Sequence, residues 1–487
     1  MGNYFNIDEI AGAGKFSSSI FETISMAINQ KKIKFLFFVF LGSAAALWGE
    51  WIEREGPRKA AFVSACCWCG GLLLSATGVF YHQLWLLWIG SGVIGGIGLG
   101  LGYISPISTL IKWFPDQRGM ATGMAIMGFG GGAMIGSPLA SRLMDYFSTA
   151  RSTGAGESFL ALAGIYFVFM TAGALSYRIP YDGWKPKGYR EPMLKNLITT
   201  GNVDLNQAMR TNQFWLLWVV LCVNVTAGIG ILGMASPLLQ EIFGGKLIGV
   251  DSGLSDLTTD QKHLVATVAS GFTGLLSLFN IAGRFFWSTL SDKIGRKYTY
   301  HIFLAFGCLL YWLIPALGTS GKLILFVSAF CMILSMYGGG FATIPAYLAD
   351  LFGTKMVSAI HGRLLTAWAT AGVLGPVLVN YIRDYKLAKG IPSSEVYNDT
   401  MYLLGGILIA GLMANLLIRP VHPSRLTQPE ASKPNLEERL NDEISIEADS
   451  KVSAKNKLAL LVAWAAVILP LLWGFSTTIK LASGLFH

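Results

Sequence analysis

One arginine interrupts an apolar run and is the side chain best suited to bind a small anion. Arg284 lies in the stretch 280–287, Asn-Ile-Ala-Gly-Arg-Phe-Phe-Trp, about two helical turns before Asp292. A guanidinium presents forked N–H donors that match the two oxygens of a carboxylate. Charge inside an apolar span is expensive and usually tied to function. The alternative is an arginine that packs between helices or reaches to the membrane surface, and composition alone leaves both interpretations open.

A second chemical signal is a loop pattern that occurs twice, at 49–59 and at 283–297. In each copy an apolar run ends at an acid, a basic residue follows, a glycine allows a tight turn, and an Arg-Lys pair opens the next apolar run. The acid can accept hydrogen bonds from the free amides of a neighbouring helix N-terminus, and the glycine permits a positive φ. A single copy is better explained as a charged surface loop, but two copies predict two related halves. The positions concerned are Glu53, Arg54, Gly56, Arg58, Asp292, Lys293, Gly295 and Arg296.

Cysteines and histidines do not form a metal or redox motif. The run at 66–69, Cys-Cys-Trp-Cys, has no second set of ligands to complete a metal site. The Gly-Ala-Gly-Lys piece ending at Lys15 lacks the spacing and the Ser or Thr of a phosphate loop. We therefore expect no metal, no cofactor and no nucleic acid partner. An enzyme is disfavoured because no nucleophile–base pair is apparent on any span.

Composition indicates a multi-pass membrane protein. The 487 residues are 53% apolar and only 13% charged, with a mean hydropathy of +0.52, which excludes a water-soluble protein with a normal surface. A membrane-spanning helix needs about 20 mostly apolar residues. Twelve such segments are predicted, at 33–52, 60–79, 84–111, 119–143, 159–177, 213–240, 264–288, 299–317, 323–348, 359–381, 401–418 and 457–479.

Glycines repeat every four residues on two of these spans, at Gly92, Gly96 and Gly100 and at Gly128, Gly132 and Gly136. Such faces let helices approach closely in a membrane. Static packing and sliding during conformational change are both open interpretations.

The positions of the basic residues predict the orientation of the chain and its division into domains. Placing both repeated loops and every second connection in the cytoplasm puts 23 of the 37 lysines and arginines there. Pro, Gly and basic residues then mark a linker, and a stretch rich in Pro, Ser and acids marks a solvated tail. The predicted units are an N-terminal bundle 1–178, a cytoplasmic linker 179–211, a C-terminal bundle 212–419, a cytoplasmic tail 420–456 and an extra spanning helix 457–480.

The repeated loops resemble the signature loops of the major facilitator superfamily, which lie between helices two and three and between helices eight and nine. The resemblance implies two six-helix bundles, an all-α membrane fold. Because the first loop follows the span 33–52, that span corresponds to helix two. Residues 11–30 then resemble only the outer half of a first helix, so we expect the first helix to be incomplete. Glu53 in place of Asp, and Pro57 after the glycine, depart from the family pattern.

Residues 85–145 and 265–382 more specifically resemble the oxalate/formate antiporter family, which is related to the monocarboxylate transporters. The stretches that carry the likeness are 95–106, 112–123 and 359–372. The resemblance implies that Arg284, in its Asn-x-x-Gly-Arg context with Asn280, grips an anionic substrate. In oxalate carriers a lysine on helix eleven adds a second positive charge, and Trp368 stands at that position here.

Three further residues complete the predicted substrate site. His361 and Arg363 either replace part of the missing charge or line the cytoplasmic mouth, and the second interpretation is favoured. Tyr103 either donates a hydrogen bond to a carboxylate or packs in the core, and packing is favoured.

The sequence therefore predicts a secondary active transporter of small organic anions, monocarboxylates or oxalate/formate-like acids, that works by alternating access. The expected partners are the substrate anion, a counter-anion or a proton, and the lipid bilayer, with the protein in a bacterial inner or plasma membrane. Few buried acids are visible, which favours anion exchange or facilitated transport over proton symport. The alternative function is a transport-incompetent sensor or subunit derived from such a carrier.

Overall fold

The computed structural model describes the backbone of residues 15–149, 152–181, 184–186, 189, 198–199, 201–427 and 454–483. Within these ranges side chains are described from residue 33 onward, except at 133, 137, 454–460, 463–464 and 481–483. Most of the predicted tail, 428–453, lies outside the described residues, as do several stretches of the predicted linker.

Long helices form almost all of the described chain. We number them α1 to α12: Lys15–Glu55, Pro57–Phe80, Leu84–Trp113, Arg118–Phe147, Ala155–Ser176, Asn212–Leu232, Thr259–Ile294, Arg296–Thr319, Leu323–Phe352, Val357–Ala388, Asn398–Leu417 and Ala454–Ser483. Within the described residues, eleven of them are long and apolar enough to cross a membrane, and α12 contains a shorter apolar stretch, Ala465–Lys480. Every predicted span falls on a helix. The predicted span 213–240 is shorter than expected, because α6 ends at Leu232 and a separate helix, Ala235–Phe243, follows.

The helices form two related halves, α1–α5 and α6–α11. In the first half α1 packs on α3 and α2 packs on α5, and in the second half α7 packs on α9 and α8 packs on α11 in the same way. The halves meet along two seams, α1 against α10 and α4 against α7. In the second half α6 packs on α10 and α11, and no described helix of the first half takes the corresponding place.

The start of the described chain differs from our expectation. Residues 11–30 were expected to form part of a separate first helix, but from Lys15 onward the backbone continues directly into the span at 33–52. The result is the single 41-residue helix α1.

The two signature loops contain the turns that the sequence predicts. Gly56 has φ 86° between α1 and α2, and Gly295 has φ 95° between α7 and α8. Both values lie in the region that a side chain disfavours, so the prediction of positive φ is confirmed. We call the end of the molecule that carries these loops the signature-loop side, and the other end the opposite side.

The two glycine repeats differ in what they contact. A methyl group at Gly96 or Gly100 would lie 2.7 or 2.6 Å from the carbonyl oxygens of Phe37 and Leu41 on α1, so this face permits close helix packing. A methyl group at Gly128 or Gly132 would meet no described atom within 4 Å. Static packing therefore accounts for the first repeat, whereas the second is open at Gly128 and Gly132 and meets the Tyr166 hydroxyl at Gly136, 3.2 Å from an added methyl group.

The described end of the linker packs on the second half. The amide of Thr199 donates to the carbonyl of Asp350 at 2.8 Å, and the amide of Val203 donates to the carbonyl of Phe352 at 2.9 Å. Between them, Asn202 pairs with Thr427, the last described residue before α12. The linker thus satisfies free carbonyls at the end of α9. One of these carbonyls belongs to Asp350, whose side chain forms ion pairs described in the next subsection.

Candidate functional site

Arg284 lies on α7 at the seam between the halves and is 3% exposed. Its Nη1 donates to the carbonyl of Ile126 on α4 at 3.0 Å, and its Nε donates to Oδ1 of Asn280 at 3.2 Å. No described hydrogen bond uses Nη2, and among the described residues no carboxylate forms an ion pair with this guanidinium. A buried charge without a counter-ion is costly, so this arginine is suited to receive an anion.

Four aromatic rings surround this position, and we call them the ring cluster: Tyr103 of α3, Phe129 of α4, Phe341 of α9 and Trp368 of α10. The ring of Trp368 contacts the other three at centroid distances of 5.2, 5.7 and 5.0 Å, respectively. The Arg284 guanidinium lies over Phe129 at 5.4 Å and over Phe341 at 5.8 Å. Cation–π attraction in this desolvated setting supports the guanidinium from both halves.

Three buried polar atoms near the ring cluster have no described hydrogen-bond partner. They are the hydroxyl of Tyr103, Nε1 of Trp368 and Nε2 of His361. The His361 ring lies 5.8 Å from the ring of Tyr103, and its side chain is 1% exposed. An unsatisfied buried polar group costs about 1–3 kcal/mol. These atoms can therefore bind polar groups of a ligand next to Arg284.

The structure thus brings five of the six predicted substrate-site residues together: Arg284, Asn280, Tyr103, Trp368 and His361. Arg363 is placed differently, because its Nε donates to the carbonyl of Ala46 on α1 at 2.7 Å. It joins the α1/α10 seam and does not reach the ring cluster.

Sequence reasoning missed Phe129 and Phe341, whose rings lie beside the Arg284 guanidinium. One signal in the sequence was available for Phe129. The spacing between the signature acids, Glu53 and Asp292, is 239 residues, and the same spacing pairs Phe129 with Trp368.

On the signature-loop side, Asp292 connects the two halves. Its carboxylate accepts hydrogen bonds from the amides of Gly119 and Met120, at 2.9 and 2.8 Å, at the N-terminus of α4. The expected contact between the acid and a neighbouring helix N-terminus is present. The positive end of the helix dipole strengthens it.

Arginines extend this contact into a charge cluster. Arg296 pairs with Asp292 and, at 3.3 Å, with Asp350, while Arg118 of the other half pairs with Asp350 at 3.2 Å. A cavity of about 260 Å³ lies between them, lined also by Lys293 and Gly295. We call Asp292, Arg296, Arg118 and Asp350 the gate cluster.

The first signature loop makes the corresponding contact at the other seam. Glu53 accepts a hydrogen bond from the amide of Ser358 at 2.9 Å, at the N-terminus of α10, and pairs with Lys112 at 3.1 Å. Gly119 and Ser358 are also 239 residues apart, so the internal repeat includes the receiving helix as well as the acid. The substitution of Glu for Asp does not prevent the contact.

The remaining loop residues do not bridge the halves in the described contacts. Arg54 pairs with Glu50 one turn earlier on α1, and both are exposed. Arg58 and Lys293 are exposed on the signature-loop side.

Comparison with known proteins decides the family. The model of the Major Facilitator Superfamily matches residues 33–376 and 254–486. The chain belongs to the Major Facilitator Superfamily. In this superfamily member, the repeated loops, the two halves and the contacts across the two seams are parts of one transporter fold.

The chain is similar to several named carriers. It is 25% identical over 327 residues to the oxalate:formate antiporter of Oxalobacter formigenes, covering 67% of this chain and 69% of that protein. It is 27% identical over 350 residues to apicoplast pyruvate carrier 1 of Toxoplasma gondii, covering 60% and 59%. Monocarboxylate transporter 12 of Rattus norvegicus is 26% identical over 331 residues, covering 65% of each.

Solved structures agree on the fold. The Escherichia coli fucose:proton symporter matches with a TM-score of 0.54 and 12% identity, over 80% of this chain and 91% of that one. The human organic anion transporter MFSD10 matches with a TM-score of 0.53 and 15% identity, over 79% and 83%. The recognition of the family from the signature loops and the membrane fold class are therefore confirmed.

Proposed function

We propose that this protein is a carrier of small organic anions in a bacterial inner membrane, and that a monocarboxylate binds at Arg284. The observation that carries the proposal is a buried guanidinium at the seam, without a described carboxylate partner, next to three polar atoms that also lack described partners. A carboxylate would supply the missing counter-charge through charge-assisted hydrogen bonds. The relatives whose names include oxalate, formate, pyruvate and monocarboxylates support this class of substrate.

The single positive charge of the site favours a monoanion over a dianion. The family resemblance implies that Trp368 stands where oxalate carriers have a lysine, and Arg363 is engaged at Ala46. Burying a second carboxylate among the rings without another cation would cost several kcal/mol, by the order of magnitude known for unpaired buried ions. The aromatic faces instead suit a short apolar group.

Alternating access is the proposed mechanism. The gate cluster and the Glu53 contact hold the signature-loop side closed, so in this state the site would exchange substrate with the opposite side. The carrier would then open the signature-loop side by breaking both contacts at once. Among the described residues no carboxylate lies against Arg284 to carry a coupled proton, and this supports anion exchange over proton symport.

Uptake by the purified protein in liposomes tests the proposal. We expect saturable uptake of labelled formate or lactate, a much weaker response to oxalate, and acceleration by an internal monocarboxylate. Arg284→Lys keeps the positive charge but loses the paired N–H donors of the guanidinium. It should raise the KM for a monocarboxylate at least tenfold. Arg210→Lys, at an exposed arginine before α6, is the matched control and should leave uptake unchanged.

Three results would each reject part of the proposal. Uptake driven only by a proton gradient, with no effect of internal anion, would replace exchange by symport. Equal uptake by Arg284→Lys and the unaltered protein would remove Arg284 from the site. No uptake of any monocarboxylate by correctly inserted protein would reject the substrate class and leave the sensor or subunit function.

A further inference from the structure

The helix α12 lies beyond the two halves and packs into one of the two seams between them. It contacts both α4 of the first half and α7 of the second. We propose that α12 is a wedge that keeps α4 and α7 apart on the opposite side, and so favours the state that is closed at the signature loops. This inference rests on the alternating access proposed above.

The α4/α7 seam changes character along its length. Near the signature loops the two helices touch directly, since Gly119 and Gly123 of α4 lie so close to Ser288 of α7 that a methyl group at either would clash. Farther along, a methyl group at Gly130 would lie 2.9 Å from Nε of Arg284.

Farther toward the opposite side, α12 packs along the seam. A methyl group at Gly131 of α4 would lie 3.1 Å from Cδ2 of Leu471, with no other described atom within 4 Å. A methyl group at Gly474 of α12 would lie 2.9 Å from the carbonyl oxygen of Met134. On the other flank, a methyl group at Gly274 of α7 would lie 2.9 Å from Cγ2 of Thr478, its nearest neighbour. The helix therefore packs against both α4 and α7, with one face that includes the buried Gly474 and Thr478.

A cation–π contact also joins α12 to α4. The Arg142 guanidinium on α4 lies 4.8 Å from the centre of the Trp473 ring on α12. Arg142 is nearly seven turns along α4 from Arg118 and so lies toward the opposite side. The attraction between a guanidinium and an aromatic face holds α12 against the first half.

The other seam supplies an internal comparison. Between α1 and α10 on the same side lies an apolar cavity of about 440 Å³, lined by Phe35, Thr370 and Val373 among others. By the spacing of 239 residues these three correspond to Gly274, Gly131 and Met134, the residues that α12 contacts. One seam thus has an open groove where its counterpart is covered by a helix. Closing the opposite side requires both seams to narrow, and among the described helices α12 is the one that packs on both sides of a seam there.

A cysteine reporter measures opening on the signature-loop side without any substrate. Thr122 of α4 is fully buried and donates to the carbonyl of Ala342 in the other half at 2.7 Å. In Thr122→Cys the thiol should react with N-ethylmaleimide only when the halves separate there. Peptide mass spectrometry follows its labelling, with Arg210→Cys, at an exposed position outside the spans, as the internal reference. Asp292→Ala, which weakens the gate cluster, is the positive control.

Two changes to α12 test the wedge in opposite directions. The double variant Leu471→Ala, Trp473→Ala removes the side-chain contacts of α12 with α4. It should speed labelling of position 122 at least fivefold. Leu472→Ala is the matched control, because this neighbouring leucine is 58% exposed and should leave labelling unchanged. Cross-linking Gly131→Cys to Leu471→Cys should fix the wedge, slow labelling at least fivefold and stop uptake of labelled formate, and reduction should reverse both effects.

The outcomes separate the wedge from the proposed transport cycle. If Asp292→Ala speeds labelling but neither α12 change alters it, the wedge is rejected and alternating access stands. If the cross-linked protein transports at the unaltered rate, α12 does not have to move and the wedge is rejected even where the alanine variant folds poorly. If Asp292→Ala also has no effect, the alternating-access mechanism fails and the wedge fails with it.

Discussion

The gate at Asp292 provides the sharpest test of how the halves are held together. The carboxylate accepts two amide hydrogen bonds from the N-terminus of α4 and pairs with Arg296. Asp292→Ala removes all of these contacts in the closed state. In a state open on the signature-loop side the same aspartate would face water, so the substitution affects mainly the closed state.

The magnitude follows from the contacts. Each hydrogen bond to a charged group contributes about 1.5–3 kcal/mol, so two amide bonds amount to about 3–6 kcal/mol. The Asp292 side chain is 14% exposed, so water weakens these hydrogen bonds. We therefore use the lower estimate of their contribution, about 3 kcal/mol. A loss of about 3 kcal/mol shifts the equilibrium between closed and open states by a factor of about 150. An open state initially populated at about 1% would become the major state.

Labelling of Thr122→Cys measures this shift directly. We expect Asp292→Ala to speed the reaction of the thiol at least tenfold, and Asp292→Asn, which retains one acceptor oxygen, to give an intermediate rate. Asp256→Ala changes an exposed aspartate in the loop before α7 on the opposite side and should match the unaltered protein. Equal labelling in the three proteins that carry Asp, Asn and Ala at 292 would refute the gate, and a larger effect of Asn than of Ala would refute the hydrogen-bond explanation.

Further changes test the site and the packing. Trp368→Lys adds a second cation beside Arg284 and should raise oxalate uptake at least tenfold relative to formate, measured by competition in liposomes. Tyr103→Phe removes a hydroxyl without a described partner; it should leave the melting temperature unchanged or raise it, yet raise KM for a monocarboxylate severalfold. Gly283→Ala places a methyl group against the backbone of Ser335 and should lower the melting temperature by several degrees, whereas Gly128→Ala, with no described atom within 4 Å, should not.

Much of the fold follows from local signals in the sequence. The spans are long apolar runs, and the signature loops are marked by acids, glycines and Arg-Lys pairs at fixed spacing. The end of α6 at Leu232 was not predicted, because apolar residues continue past it into the short helix Ala235–Phe243 and no strong break separates the two. The continuity of α1 was missed for a related reason, since the family pattern suggested a break that the local sequence does not require.

The site was only partly predictable. A charge within a span is conspicuous, so Arg284 could be identified from the sequence. Phe129 and Phe341 could not, because aromatic residues are common on spans and only the packing of four helices brings these rings together. The position of Arg363 depends on a carbonyl of α1, 317 residues away in the chain. No local pattern encodes such a contact, although the 239-residue repeat would have paired Phe129 with Trp368.

The polar groups at the seam bear on whether the chain binds a ligand at all. Tyr103, Trp368 and His361 each bury an atom without a described partner, and each costs about 1–3 kcal/mol. Replacing them by apolar residues of similar size would stabilise a protein that only had to fold. A packing function for Arg284 would also favour a carboxylate beside it, because a paired charge is cheaper to bury than an unpaired one. The simplest explanation for a buried charge without a described counter-ion beside three polar atoms without described hydrogen-bond partners is a ligand that binds all of them. This supports the function of a carrier over that of a subunit that has lost its substrate.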